Sequence, residues 1–133
     1  MQRIVQHSVS LPGEPARLYT MYLDPTQHAG FTGGLVRIAA APGAEFWAFD
    51  GRIHGRILHL TPGRQIVQTW RSFEWAADDV DSILALTFEA EGSGARLELV
   101  QVNVPDRLYE TLQKNWPMRY LDPWRAFVER GAA

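Results

Sequence analysis

The sequence predicts an α+β fold, in which a curved antiparallel β-sheet of six to seven strands wraps around a long C-terminal helix. Two short helical pieces are expected after the first strand. Three observations predict this arrangement. The first segment alternates apolar and polar residues with a period of two; the middle of the chain is a series of short strand-like runs separated only by turn residues; and the last part returns to a helical period. Strands joined by such short connections pair antiparallel. A helix with one apolar stripe must lay that stripe on a face of the sheet.

Residues 3–11 put Val5, His7, Val9 and Leu11 on one face and Ile4, Gln6, Ser8 and Ser10 on the other, a half-buried strand that Pro12-Gly13 ends. Residues 14–23 change to helical spacing, with Pro15 suited to a first turn and Leu18, Tyr19, Tyr22 and Leu23 forming the stripe. The Asp24-Pro25 step stops it, and residues 26–34 read as at most a short helical turn before Gly33-Gly34. Strands are then expected at 35–39, 45–49, 52–60, 65–71, 82–91 and 96–104. Pro42-Gly43, Asp50-Gly51, Pro62-Gly63, the acidic residues 78–81 and Gly92-Ser93-Gly94 punctuate them. Beyond Pro105, Leu108, Leu112, Trp116, Tyr120, Trp124 and Phe127 or Val128 recur every three or four residues, the stripe of the terminal helix. Pro117 lies inside it and predicts a kink near 115–117.

At 133 residues the chain is expected to form one domain over 1–133 with an ordinary core. Its 46% apolar and 21% charged residues are globular values. The net charge of -2 offers no footprint for nucleic acid or an anionic membrane surface, and no run approaches the ~20 apolar residues of a membrane span. Without cysteine there is no disulfide, thiol nucleophile or thiolate metal site. The N-terminus lacks the apolar stretch of a signal peptide, so a cytoplasmic address is expected.

No nucleophile elbow, phosphate loop or dinucleotide fingerprint is present, so neither a catalytic set nor a cofactor is expected. No metal is expected either: His54 and His59, five apart on one strand, should point to opposite faces, and His28 should lie exposed in a turn. The acidic residues 78–81 read as a solvated hairpin, with Trp75 beside it partly exposed. What stands out is aromatic content, five Trp, four Tyr and six Phe, more flat surface than closing a small core requires. Trp116, Tyr120 and Trp124 come from the terminal helix and Trp70 and Phe88 from the sheet; these are candidates to line a cavity for a ligand. Gln101, on a strand face with Leu97 and Leu99, reads either as a polar anchor inside that cavity or as a strand end reaching solvent. Arg71 is either half of a cross-strand pair with Glu98 or a rim cation for an anionic ligand group, and His54 is a further candidate for orienting a ligand.

The runs Leu23-Asp24-Pro25, Phe31-Thr32-Gly33, Phe49-Asp50-Gly51 and His54-Gly55, followed by Pro62-Gly63, Trp70-Arg71, Val104-Pro105 and Trp116, resemble the activator of Hsp90 ATPase homologue-like family. The likeness spans essentially the whole chain. The family's usual Gly-Gly pair is replaced by Gly43-Ala44, and Pro117 and Pro123 interrupt the terminal helix. The resemblance implies the START/Bet v 1-like helix-grip fold and a small hydrophobic-ligand-binding protein, with a stress-related role among its implications. It also implies two alternatives, an enzyme of cyclase or hydrolase type using a cavity His or Tyr, and a chaperone-interacting protein of the Hsp90 co-chaperone kind. The expected partners are therefore a small apolar or amphipathic molecule, a second copy of the chain as a homodimer, or a chaperone. The ligand reading requires the helix to roof the sheet without filling the space beneath.

Overall fold

The computed structural model describes residues 2–131. Six strands form one antiparallel sheet in the order β1-β6-β5-β4-β3-β2. They are β1 (Gln2–Leu11), β2 (Glu45–Ala48), β3 (Ile53–Thr61), β4 (Gln65–Ser72), β5 (Ser82–Glu91) and β6 (Gly94–Pro105). Between β1 and β2 the chain folds α1 (Pro15–Leu23) and α2 (Pro25–Thr32), which carry it from one edge of the sheet to the other. The C-terminal helix has three parts: α3 (Tyr109–Asn115), a π-helical turn (Trp116–Leu121) and α4 (Asp122–Glu129).

Alternation sets the inner face. β4 and β5 bury every second residue, so Ile66, Gln68, Trp70, Leu84, Leu86 and Phe88 face inward. The helices cover that face with Leu18, Tyr22, Leu112, Trp116, Tyr120 and Trp124, all buried. At Gly55 the strands run so close that a Cβ would stand 2.0 Å from the Thr69 carbonyl oxygen, which explains why no side chain is found there.

Several expectations need correction. Residues 35–39 form no strand: only Arg37 pairs, exchanging both backbone hydrogen bonds with Trp47. The short turn expected after Asp24 is an eight-residue helix. The Asp24 carboxylate accepts from the N–H groups of Thr26 and Gln27, so the step that stops α1 also caps α2, and Gly33 closes α2 in the left-handed conformation. His54 and His59 do not lie on opposite faces. A bulge between Ile57 and His59 inserts an extra residue, resets the alternation and leaves both histidines exposed. A second bulge, with Asn103 at φ 63°, turns Val104 inward although it stands an odd number of positions from Gln101. Glu98 lies opposite Ser8 and Thr87, two strands from Arg71, and pairs with Arg96 instead.

The kink expected near Pro117 is the π turn. Neither Pro117 nor Pro123 has an N–H to donate to the carbonyl four residues back, and the Asp122 N–H reaches the Pro117 carbonyl, five residues back. The wider turn lets Trp116, Tyr120 and Leu121 all face the sheet.

Candidate functional site

Two things occupy the space between the terminal helix and the sheet: a closed aromatic core toward α1 and α2, and a pocket toward the far ends of β3 and β4. In the core, Trp124 stacks on Phe31 (centroids 4.7 Å apart, planes within 2°) and meets Phe88 edge-on at 6.1 Å. Tyr22 and Phe46 close the same cluster. Space is filled here, so Trp124 and Phe88 are core residues and face no cavity.

Two buried polar networks hold the aromatic rings. The Trp116 indole N–H donates to Gln101 Oε1 (2.8 Å), Gln101 Nε2 donates to Ser82 Oγ (2.9 Å), and Ser82 Oγ donates to the Trp70 carbonyl. Gln101 is therefore wholly buried with its amide occupied, anchoring a side chain of the protein itself. The second network contains a residue the sequence reading placed in solvent. His28 is 0% exposed, enclosed by Tyr22, Phe31 and Tyr120. Its Nδ1 lies 2.7 Å from the Tyr22 carbonyl, which only accepts, so Nδ1 carries the proton and Nε2 accepts from the Tyr120 hydroxyl at 2.9 Å. Tyr22 in turn donates to Gln68 Oε1 at 2.6 Å. Burial pushes the His28 pKa down to about 4 and the Tyr120 phenol well up, so the pair is neutral across physiological pH.

That burial has a measurable consequence. Unfolded, His28 takes a proton near its ordinary value of 6.5; folded, it does so only near 4. Its contribution is fully present above pH 6.5 and is lost as pH falls toward 4, because the unfolded state binds the extra proton in that window. Urea unfolding from pH 7 to pH 4.5 is expected to show a fall of order 2–3 kcal/mol from this group, and His28→Gln should flatten that slope. An equally steep slope in the variant would remove the assignment.

The pocket measures about 540 Å³ and is partly open to solvent. Trp70, Trp116 and Tyr120 form its inner wall, with Phe49, Ile53 and Leu112 beside them. The Trp70 indole nitrogen is buried and without a partner. Three cations, Arg52, Lys114 and Arg119, and the carboxylate of Glu74 line the outer part. Exposed Phe73 and Met118 border it. The structure thus gathers three of the expected ligand residues, Trp70, Trp116 and Tyr120, on one wall, and the other five lie elsewhere.

Arg71 is spent on the acidic loop: it pairs with Asp81 at 2.7 Å and donates to the carbonyls of Ala76 and Asp79. Arg107 takes Asp79, and Trp75 donates to the Val80 carbonyl and is buried, so the hairpin is folded back onto the protein rather than free in solvent. His54 is exposed and lines no part of the pocket. Among the described residues, no group of three or more His, Asp or Glu side chains is arranged to hold a metal ion, and no helix is long and apolar enough to cross a membrane. Sequence spacing does not group Arg52, Lys114 and Arg119, because they come from a loop, α3 and the π turn.

The family described as Activator of Hsp90 ATPase homolog 1-like protein matches residues 13–129. Among similar proteins is an activator of 90 kDa heat shock protein ATPase homolog from Dictyostelium discoideum, 29% identical over 109 residues, covering 81% of this chain and 28% of that protein. An uncharacterized protein of Schizosaccharomyces pombe is 30% identical over 115 residues, covering 86% of this chain and 34% of that one. The chain thus spans about a third or less of these two relatives. Of solved structures, an HSP90 activator from Plasmodium falciparum superposes with a TM-score of 0.84 at 20% identity, over 97% of this chain and 96% of that one. The Aha1 dimer from Colwellia psychrerythraea gives 0.81 at 12% identity, over 98% and 99%. At these identities the structures show a shared fold.

Proposed function

The chain belongs to the family of activator of Hsp90 ATPase homolog 1-like proteins, and from that premise we propose that it holds a small, largely apolar molecule in the pocket between the terminal helix and β3–β4. The single observation that carries this reading is a space of about 540 Å³, walled by two indoles and a phenol, left open beside the packed aromatic cluster of Trp124 and Phe88. Small-molecule sites run to ~300–1,000 Å³ and are walled mainly by apolar and aromatic groups. A ligand losing about 200 Å² of apolar surface to water would gain roughly 5 kcal/mol before ordering costs. Trp116 is suited to the task because Gln101 holds its ring in place before any ligand arrives.

The test is to fill the pocket from a position that carries no structural weight. Thr111 lines it and is exposed. Thr111→Trp is expected to reduce binding of the neutral dye Nile red at least tenfold, with the melting temperature within about 2 °C of the parent. Undiminished dye binding in that variant would refute the pocket as the site.

A second reading, contact with a chaperone, draws on the names of the relatives and on the exposed apolar pair Phe73 and Met118 at the pocket border. The Dictyostelium relative is a longer protein, so stimulation of an Hsp90 ATPase by this chain, or a stress-related role, is a separate proposal. A steady-state ATPase assay with and without the chain decides it: no change in rate would remove that reading and leave the ligand reading untouched.

A further inference from the structure

We propose that the pocket selects amphipathic anions, molecules with an apolar tail or ring and one carboxylate-like head, and that Arg52, Lys114 and Arg119 are the groups that receive the head. This deepens the apolar-ligand reading and rests on it.

Of the ten other cationic side chains, Arg3, Arg37, Arg71, Arg96 and Arg107 each sit within 4 Å of a carboxylate, and Arg56 and Arg125 donate to backbone carbonyls. Arg52, Lys114 and Arg119 do not: no hydrogen bond or ion pair engages their side chains among the described residues. All three nevertheless line one pocket. They arrive from different places, Arg52 after the turn that ends β2, Lys114 from the last turn of α3 and Arg119 from the π turn, so sequence neighbourhood does not explain their meeting.

Glu74 is the carboxylate among the lining residues, so the wall carries a formal +2 while the whole chain carries -2. A concave surface with low-dielectric walls concentrates such a field on whatever enters. The polar groups that face an incoming head are mostly donors: two guanidinium groups and an ammonium, the first two shaped for bidentate contact with a carboxylate. Behind them lie Trp70, Trp116 and Tyr120, which offer apolar faces and no charge. A ligand that satisfies both zones is anionic at the mouth and apolar within. A neutral apolar molecule leaves the cations unpaired, and a cationic amphiphile meets their repulsion.

The test compares three molecules with one tail, dodecanoate, 1-dodecanol and dodecylammonium, as competitors of Nile red below their aggregation concentrations. Dodecanoate is expected to displace the dye at least about tenfold more effectively than dodecanol, and dodecylammonium least of all; the margin over dodecanol should shrink severalfold between about 20 mM and about 500 mM salt. The double variant Lys114→Gln/Arg119→Gln should bring dodecanoate and dodecanol to within about twofold while Nile red still binds; Arg37→Gln, altering a cation outside the pocket, should change nothing. Equal displacement by dodecanoate and dodecanol overturns the anion selectivity and leaves the apolar-ligand reading standing. A preference that survives the double variant overturns the assignment to these cations. Failure of Nile red itself to bind, or binding that Thr111→Trp does not reduce, overturns the underlying reading and this inference with it.

Discussion

Trp124→Ala is expected to lower the free energy of unfolding by about 3–5 kcal/mol, read as a shift of the urea midpoint at unchanged slope. The indole is 1% exposed, stacked on Phe31, edge-on to Phe88 and beside Tyr22, so truncation leaves a void ringed by rigid aromatic groups that cannot collapse into it. Trp124→Phe should cost less than half as much. The indole N–H has no hydrogen-bond partner, so the smaller ring forfeits contact area and no polar interaction. The pair of variants separates packing from polarity: similar losses for Phe and Ala would mean that something other than the void dominates. Because Trp124 lies outside the pocket, dye affinity of the folded Trp124→Phe protein should stay within about twofold of the parent.

Gln101→Leu is expected to cost about 2–3 kcal/mol and to weaken dye binding severalfold as well. Leucine nearly preserves the volume, so the loss is polar: the Trp116 indole N–H loses its acceptor inside a dry core, and Ser82 Oγ loses the amide that donates to it. The ring thereby released is a pocket wall, which couples the stability loss to the binding loss. Gln101→Glu keeps an acceptor for Trp116 but brings a carboxyl group to a site with no cation among its hydrogen-bond partners. Burial would raise that group's folded-state pKa, so the variant should be most stable at low pH and lose stability as pH rises. A Gln101→Leu protein as stable as the parent would show that the network adds nothing net.

Much of the architecture could be read from periodicity because the signals are local. The 3.6-residue stripe through Leu112, Trp116, Tyr120 and Trp124 and the two-residue alternation of β4 and β5 report directly which face of each element is buried. Prolines at 117 and 123 announced the break that became the π turn. Alternation misled where a strand gains a residue: the bulges near Leu58 and at Asn103 invert the faces beyond them, and the one local sign is that asparagine tolerates the positive φ found at Asn103. Residues 35–39 alternate like a strand and lie along the free edge of β2, yet the single bridge from Arg37 to Trp47 is all that forms.

The site was harder to read for a reason of chain distance. His28 looked like a turn residue, and its partner Tyr120 lies 92 positions away. Nothing near His28 in the sequence predicts a phenol over its ring. Alternation leaves Gln101 equally an inward anchor or a strand end reaching solvent, and only the packed structure shows that its amide serves Trp116. Arg71 was a reasonable rim cation until the acidic loop, ten residues on, folded back to claim it.

By itself, then, the sequence determined the elements, the sheet-and-helix architecture and the aromatic supply, since each depends on residues a few positions apart along a regular backbone. Only the tertiary structure decided which aromatic rings interlock as core and which face open space, and which arginines keep a free charge. Those outcomes depend on side chains that meet across the fold, where packing density and carboxylate proximity select among partners that no spacing rule encodes.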